Sequence, residues 1–207
     1  MEQLFQPQLN YDLISRKFKI AGRSACFYMI DGLNKDDLLE KIMECLFAVT
    51  PQQMPDNAQK FSEQIIPYGE IDLLQTSGEL SVSLLSGVPI LLIDGYTQAL
   101  AIDFRTYPSR SIEEPSKDKV LRGPKDGFVE TIVFNTALIR RRIRSTDLVM
   151  EITSAGKSSH TDIVLSYMGS RVDRHFLDNV RKRISEISAD ALTMNCESLA
   201  EALCPHH

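Results

Sequence analysis

The hydrophobic and polar positions of this chain follow strand and helix periods along most of its length. Residues 18–30 read as one extended stretch, and Asp31-Gly32 ends it as a turn. Apolar residues then recur at helical spacing over 34–49, which predicts a helix with Asn34 as its N-cap. Residues 1–17 show neither period and are interpreted as a loose or locally helical N-terminal lead-in.

Helix-capping signals mark the segment that follows. A helix is predicted over 56–66, and "GEIDLLQ" predicts a short strand after it. Thr76 with Glu79 forms a capping-box pattern at the start of another helix, and Gly87 stands where a C-terminal cap glycine belongs. Helices and strands therefore continue to alternate through this part of the chain.

The clearest hairpin signal lies just beyond that helix. Two apolar strands, at 90–93 and 99–104, flank the turn Asp94-Gly95. Together with the elements before it, the hairpin predicts a first α/β subdomain with the order β-α-α-β-α-β-β over 18–106.

The pattern restarts after a stretch rich in proline, glycine and charge, which is predicted to be an extended linker over 107–126. A second α/β subdomain is predicted over 127–205, with a helix, a hairpin around "SAGKSSH" and an amphipathic helix. The inward face of that last helix is predicted to consist of Phe176, Val180, Ile184 and Ile187. Residues 206–207 are a candidate tag remnant. The predicted fold class is α/β (α+β), with two small subdomains, each a small mixed sheet with helices.

Charge and composition narrow the function classes. The chain has 207 residues and a net charge of −5, which gives no support to nucleic-acid binding. No run of 18 apolar residues and no secretory signal is seen. Cys26 and Cys45 lie in apolar runs and are interpreted as core thiols, in keeping with a reducing compartment.

Candidate catalytic chemistry is weak. Gly156-Lys157-Ser158 matches the end of a phosphate-binding loop, but position 151 is Glu instead of the required glycine, so a hairpin turn is the better interpretation. His160 and His175 have no nucleophile elbow near them in sequence. No His/Cys/Asp spacing suits a metal. We therefore expect a non-enzymatic protein without a cofactor or a metal.

A basic cluster closes the helix predicted at the start of the second subdomain. It contains Arg140, Arg142 and Arg144, and cations at this end complement the helix dipole. A solvated face is one interpretation. A surface for acidic lipid headgroups or an acidic partner is another, and RNA is disfavoured because no aromatic platform is present.

The linker carries charges of both signs, with a rigid Arg122-Gly123-Pro124 bend. It is interpreted either as an ordered brace that sets the orientation of the two subdomains or as a disordered tether.

Four phrases in this region resemble the A-subunit family of bacterial spore germinant receptors. They are R-x-I-x-E-P at 110–115, R-G-P at 122–124, G-F-V-E at 127–130 and N-x-x-L-I-R-x-R-I at 135–143. Each phrase is weak alone, and the combined run in this order is specific. The resemblance covers most of residues 18–190, but the chain lacks the family's membrane spans and reads "MGSRVD" at 168–173, where a more apolar strand exit is expected.

The resemblance implies the soluble N-terminal region of an A subunit, on the cytoplasmic side of the spore inner membrane. It implies a part in receptor assembly and germinant signal transduction, with B and C subunits and further A subunits as partners and an anionic membrane surface as a further candidate. A small-ligand module that holds a germinant between the subdomains is the alternative. The residues expected to couple the subdomains are Arg110, Glu113, Pro115, Arg122, Gly123, Pro124 and Phe128. Those expected to form a partner or membrane surface are Arg140, Arg142 and Arg144.

Overall fold

The computed structural model divides the chain into two compact units. The first combines Met1–Pro7 with the chain from Asp12 to Thr146, and the second combines Gln8–Tyr11 with the chain from Asp147 onward. The residues described are 1–107, 127–187, 199, 200, 202 and 203.

The first unit is built on a five-stranded antiparallel sheet. Its strands are β1 (Leu13–Ile20), β2 (Arg23–Ile30), β3 (Glu70–Leu74), β4 (Ile90–Ile93) and β5 (Ala99–Asp103). They lie side by side in the order β1-β2-β4-β5-β3, and each neighbouring pair is antiparallel. The outer strands β1 and β3 therefore run in the same direction.

Helices cover both faces of this sheet. They are α1 (Glu2–Phe5), α2 (Asp36–Ala48), α3 (Ala58–Gln64), α4 (Ser77–Leu85) and α5 (Ile132–Arg142), with a 3-10 turn at Pro51–Gln53. One face packs against α2 and α3, in a core that includes Phe27, Leu46 and Phe61. The other face packs against α1, α4 and α5, in a core that includes Leu84 and Ala137. Burial on both faces explains the continuous apolar runs of the central strands.

The second unit is smaller. It pairs β6 (Leu148–Ala155) with β7 (Thr161–Met168) as an antiparallel hairpin, and α6 (Arg174–Ser185) packs against it. The early segment 8–11 also belongs here, because the Tyr11 N–H donates to the Met150 carbonyl at 3.0 Å and the Met150 N–H donates to Asn10 Oδ1 at 2.9 Å.

Most predicted elements are confirmed. The α/β (α+β) class is correct, and the helix predicted from the capping box begins at Ser77 with Thr76 and Glu79 exchanging both bonds. Gly87 follows its C-cap with φ +92°, the left-handed conformation that such a glycine adopts. The predicted hairpin turns at Asp94-Gly95 and around "SAGKSSH" are also confirmed.

Three details of the strands and of helix α2 differ from the predictions. Both sheets are antiparallel and not mixed, because hairpins join most neighbouring strands. The stretch read as one extended segment is a hairpin with a two-residue turn at Ala21-Gly22, so β1 occupies part of the predicted lead-in. Asn34 does not cap α2, because its Nδ2 donates to the Ile30 carbonyl at 2.6 Å and Lys35 holds the cap position.

Side-chain direction on α6 also differs. Phe176, which is predicted to point inward, is 65% exposed, and Leu177 is buried instead. Leu177 lies seven residues before the buried Ile184, two helical turns along the same face. The other three predicted residues, Val180, Ile184 and Ile187, do pack in the core of this unit, so only the first position of the face differs.

The boundary between the units lies elsewhere than residue 127. Helix α5 packs in the first unit, and the second unit begins at Asp147. The predicted linker at 107–126 falls outside the described residues apart from Tyr107.

Candidate functional site

Helix α5 is fixed to the first unit by a buried ion pair. Arg140 Nε donates to Asp12 Oδ2 at 2.7 Å and Arg140 Nη2 donates to Asp12 Oδ1 at 2.9 Å. Arg140 is 3% exposed and Asp12 is fully buried. A buried bidentate guanidinium–carboxylate pair fixes orientation as well as distance.

Backbone bonds hold both partners of this pair in place. Asp12 lies just before β1, and its carbonyl accepts from the Asp31 N–H at 2.8 Å. Arg140 Nη1 donates to the Ser145 carbonyl at 3.4 Å. The chain passes between the units at Tyr11–Asp12 and again at Thr146–Asp147. The pair therefore fixes, within the first unit, the chain next to both of these passages.

A glycine lets α5 come close to the sheet. A Cβ at Gly32 would lie 3.0 Å from Val133 Cγ1 and 3.3 Å from Ala137 Cβ. Gly32 also has φ +75°, which a larger residue rarely adopts. The sequence marks the turn after β2 only as a strand end, but α5 also packs directly against this turn.

Asn135 organises the segment before α5. Its Oδ1 accepts from the Val129 N–H and its Nδ2 donates to the Val129 carbonyl, each at 2.7 Å. Through these two bonds the Asn135 side chain pairs with the Val129 backbone much as the backbone of a neighbouring strand would. It links two of the phrases behind the resemblance, G-F-V-E and N-x-x-L-I-R-x-R-I.

The end of α5 is held from a second side. The Arg141 guanidinium lies 4.2 Å from the centre of the Tyr107 ring, a cation–π geometry. The Tyr107 hydroxyl donates in turn to the Ser86 carbonyl at 3.2 Å, just beyond α4. Arg141 therefore connects α5 to the helix that packs on the same face of the sheet.

A second carboxyl, that of the half-buried Asp31, lies near Asp12. Burial raises the pKa of the Asp31 carboxyl, and the nearby carboxylates of Asp36 and Asp12 act in the same direction, against a hydrogen bond from the Gly32 backbone. The site around Asp12 thus favours neutral or fully paired groups.

The predicted surface role of Arg140 is wrong, because its guanidinium is buried against Asp12. Arg142 and Arg144 are exposed as predicted. Arg144 Nε donates to the Arg141 carbonyl at 3.1 Å, so it caps the end of α5. The structure does not bring the three arginines together as one surface.

The predicted coupling residues have different outcomes. Phe128 is described and is 66% exposed. The others lie outside the described residues, and their coupling role stays a prediction: Arg110, Glu113, Pro115, Arg122, Gly123 and Pro124. The sequence analysis missed Asp12, Gly32 and Asn135. Of these only Asn135 carried a signal, as the first residue of its phrase.

The second unit has a polar cluster of its own. Arg181 on α6 binds the Glu151 carboxylate through Nε at 2.9 Å and Nη2 at 2.6 Å, and the Tyr167 hydroxyl donates to Glu151 Oε2 at 3.1 Å. The Arg181 hydrogen bonds are the main cause that lowers the pKa of Glu151. This cluster ties α6 to both strands of the hairpin.

Reactive groups do not converge within the described part of the chain. There, no three His, Cys, Asp or Glu side chains cluster so that they could hold a metal ion. His175 contacts Asn179 at 3.1 Å on the exposed side of α6, and His160 is exposed in the hairpin turn. Two surface cavities of about 420 and 400 Å³ lie beside α2, one of them lined by Asp36, Glu40 and Phe47.

Among the residues that the structure describes, no helix is both long enough and apolar enough to span a bilayer.

Comparison with known proteins places the chain in a family. The sequence model of the Bacillus/Clostridium GerA spore germination protein family matches residues 1–207. Stage V sporulation protein AF of Bacillus subtilis (strain 168) is 35% identical over 193 residues, which are 93% of this chain and 39% of that protein. Spore germination protein B1 of the same organism is 31% identical over 181 residues, 84% of this chain and 36% of that protein.

The fold agrees with a solved structure. The crystal structure of the N-terminal domain of the A subunit of the Bacillus megaterium spore germinant receptor GerK3 matches 98% of this chain and 76% of that one, with a TM-score of 0.71 and 23% identity. The chain spans less than two-fifths of the length of the two curated relatives named above. With a family match over its whole length, this chain belongs to the Bacillus/Clostridium GerA spore germination protein family.

Proposed function

We propose that the chain is the N-terminal region of a germinant-receptor A subunit and that it takes part in receptor assembly and germinant signal transduction. The observation that carries this proposal is the family match over all 207 residues, together with the shared fold of the GerK3 A-subunit N-terminal domain. The chain spans 39% of the first relative, so the rest of such a protein would supply any membrane-spanning part.

The contribution of this region is mechanical in the proposal. Helix α5 follows residues 110–124 in sequence, which carry two of the four phrases behind the family resemblance. The Asp12–Arg140 pair fixes this helix beside the sheet. A displacement that reaches α5 would therefore move the whole first unit, because breaking a buried, bidentate pair is costly. The region would act as a rigid relay and not as a catalyst.

Spores that lack the gene test this proposal. Such spores should lose or slow their response to at least one nutrient class, and the complete gene supplied in trans should restore it. The response is the fall in optical density of a spore suspension after addition of amino acids, sugars or nucleosides. Wild-type responses of the deletion spores to every nutrient would count against a receptor role.

A second candidate role follows from the 35% identity to Stage V sporulation protein AF, which exceeds the 31% identity to spore germination protein B1. In that case the full protein would serve sporulation. Strains without the gene would then form spores poorly, whereas a receptor subunit predicts normal spore formation and a defect confined to the response to some nutrients.

The proposed location is the cytoplasmic side of the spore inner membrane, with B and C subunits as partners. The test is affinity capture of the full-length protein from detergent-solubilised spore membranes. Co-purification of B and C subunits in fixed ratio supports the proposal, and capture of the protein without them contradicts it.

Direct binding of a germinant remains the alternative. The cavities beside α2 are lined by polar and apolar side chains, but they lie at the surface. Small-molecule sites, in contrast, commonly enclose most of the ligand surface, which argues against these cavities as the germinant site. Titration calorimetry of the chain with amino acids, sugars and nucleosides decides the matter. Saturable heat with one class would establish a ligand-binding role, and its absence would exclude it for these compounds.

A further inference from the structure

The two outer strands of the five-stranded sheet carry opposite charges. In the part of the chain that the structure describes, β1 pairs only with β2 and β3 pairs only with β5, so each has one unpaired edge. The exposed side chains of β1 include Lys17 and Lys19, and those of β3 are Glu70 and Asp72. An edge strand with free N–H and C=O groups can pair with another strand.

The pairing register places these charges on the same face of the sheet. Lys17 is the Cα partner of Cys26, which packs with the core that includes α4 and α5. Asp72 is the Cα partner of Ala101, which is buried in that same core. Since successive side chains alternate between faces, Lys19 and Glu70 share the face of Lys17 and Asp72.

The opposite face of both edges is mostly apolar. On β1 it presents Ile14, which is 38% exposed, the partly buried Phe18 and, between them, the exposed Arg16. On β3 it presents the partly buried Ile71 and Leu73. The lysine and carboxylate faces of the two edges are therefore complementary in charge, and the other face of each edge adds apolar side chains, with Arg16 of β1 as the one charged exception.

The direction of the strands fits the same arrangement. Because β1 and β3 run in the same direction within one sheet, a second copy placed beside the first without inversion brings its β3 parallel to the first copy's β1. The face with lysines on one copy then adjoins the face with carboxylates on the other.

We propose that this sheet edge is an interface between copies of the chain, with β1 of one copy pairing in parallel with β3 of the next. Cross-strand Lys–Glu and Lys–Asp pairs and the Ile14, Phe18, Ile71 and Leu73 side chains would stabilise it. The interface is head-to-tail, so it generates a ring or an open chain of subunits.

The charges also select against the wrong pairings. Two β1 edges would oppose lysines to lysines, and two β3 edges would oppose carboxylates to carboxylates. Lysines on an edge commonly protect it from self-pairing, and here they do so while leaving the acidic edge as a partner. Lys17 contacts Glu2 at 3.0 Å, but both side chains are exposed, so exchanging this partner costs little.

Charge reversal tests the proposal by sedimentation velocity of the 207-residue chain over a range of concentrations. The wild type should show a weight-average sedimentation coefficient that rises with concentration. Lys17→Glu/Lys19→Glu should remain monomeric, and so should Glu70→Lys/Asp72→Lys. The control Lys157→Glu/Lys182→Glu makes the same change in net charge at exposed residues of the second unit and should associate as the wild type does.

Two restoring experiments make the test specific. An equimolar mixture of the two edge variants should associate, because each acidic edge then meets a basic one, and the chain with all four reversals should regain self-association. Circular dichroism should show the same fold in every variant, since surface substitutions change stability little. A wild type that is monomeric throughout, an effect of the control equal to that of the edge variants, or failure of both restorations would overturn the proposal.

The interface uses a surface distinct from the Asp12–Arg140 pair. Failure of the sedimentation test would therefore leave the germination role standing, and failure of the nutrient test would leave the interface standing.

Discussion

At position 140 an arginine ends up in the interior because a carboxylate far away in the sequence meets it there. Asp12 and Arg140 are separated by 128 residues, and both oxygens of the carboxylate accept from the guanidinium. Taking two charges out of water is expensive, so the pair adds specificity more surely than net stability. Removing one partner leaves the charge of the other buried without a counter-charge, which costs more than burying the intact pair.

Substitution of Arg140 by Met should therefore destabilise the first unit by about 3–5 kcal/mol. The double variant Asp12→Leu/Arg140→Met should recover most of that loss, because no isolated charge remains. Urea unfolding followed by circular dichroism measures both. The control Arg142→Met lies on the same helix but is exposed and should change stability by less than about 0.5 kcal/mol. Equal effects of Arg140→Met and Arg142→Met would contradict the account of the pair.

Asn135 offers a finer test at this scale. Asn135→Ala should lose both bonds to Val129, at about 1 kcal/mol per bond, while Asn135→Asp keeps an acceptor for the Val129 N–H and loses only the donor. Amide hydrogen exchange at Val129 should accelerate strongly in the alanine variant and little in the aspartate variant. Unchanged exchange in Asn135→Ala would show that the side chain does not hold this segment.

At the scale of single elements, α4 contrasts two glycines. Gly78 lies in its first turn, where an added Cβ would meet only Thr76 Oγ1 at 3.9 Å. Gly87 lies beyond its end with φ +92°, and an added Cβ there would come within 3.2 Å of Leu33. The Gly87 N–H donates to the Leu84 carbonyl and the Val88 N–H donates to the Ser83 carbonyl, which are the two bonds of a Schellman motif.

The same substitution should thus have opposite signs at the two positions. Gly78→Ala should stabilise the first unit by up to about 1 kcal/mol, because it restricts the unfolded chain without strain. Gly87→Ala should destabilise it by at least about 1 kcal/mol, because alanine is strained at positive φ and crowds Leu33. Thermal unfolding of the two variants beside the wild type measures the difference. A shift of the same sign in both would contradict this structure of the α4 cap.

The contact between α6 and its hairpin should weaken at acid pH. Arg181 lowers the pKa of Glu151 below its ordinary 4.5, and a carboxyl of that kind adds stability above its unfolded-state pKa, which is lost as the pH falls through the folded one. An NMR titration of the Glu151 carboxyl should give a midpoint below 4.5 in the wild type. In Arg181→Leu the midpoint should rise, because burial still acts while the guanidinium is gone. The exposed control Lys182→Leu should leave it almost unchanged, and a midpoint equal in the two variants would refute the assignment.

Several elements could be predicted because their signals are local. The capping box at Thr76, the glycine after α4 and the Asp94-Gly95 turn each depend on neighbouring residues, and each prediction is confirmed. The turn at Ala21-Gly22 could not, because both residues have positive φ there and alanine gives no such signal. The burial of Leu177 in place of Phe176 on α6 could not be predicted, because both residues are strongly apolar.

At the scale of the whole molecule, a division into two units could be predicted from the sequence, but which elements belong to each unit could not. Helix α5 follows that stretch in sequence and yet belongs to the first unit, because Ala137 packs in its core and Arg140 meets Asp12. Such contacts join distant parts of the chain, and neither periodicity nor local motifs encode them. For the same reason, the sequence analysis did not identify Asp12 and Gly32 as residues that hold α5 in place.

The chain belongs to the GerA spore germination family. We propose that in such a protein a first unit that moves as one body with α5 passes a displacement from one part of the protein to another. That idea, the rigid relay, is the central claim of the proposed function.

The most direct test replaces Arg140 in the full-length protein in spores and compares germination with protein abundance. Arg140→Met should abolish or strongly slow the nutrient response that deletion of the gene affects, Asp12→Leu/Arg140→Met should restore abundance, and Arg142→Met should match the wild type. The response is read as loss of optical density, and abundance is read by immunoblot of spore membranes. Wild-type germination together with wild-type abundance in Arg140→Met spores would contradict the claim.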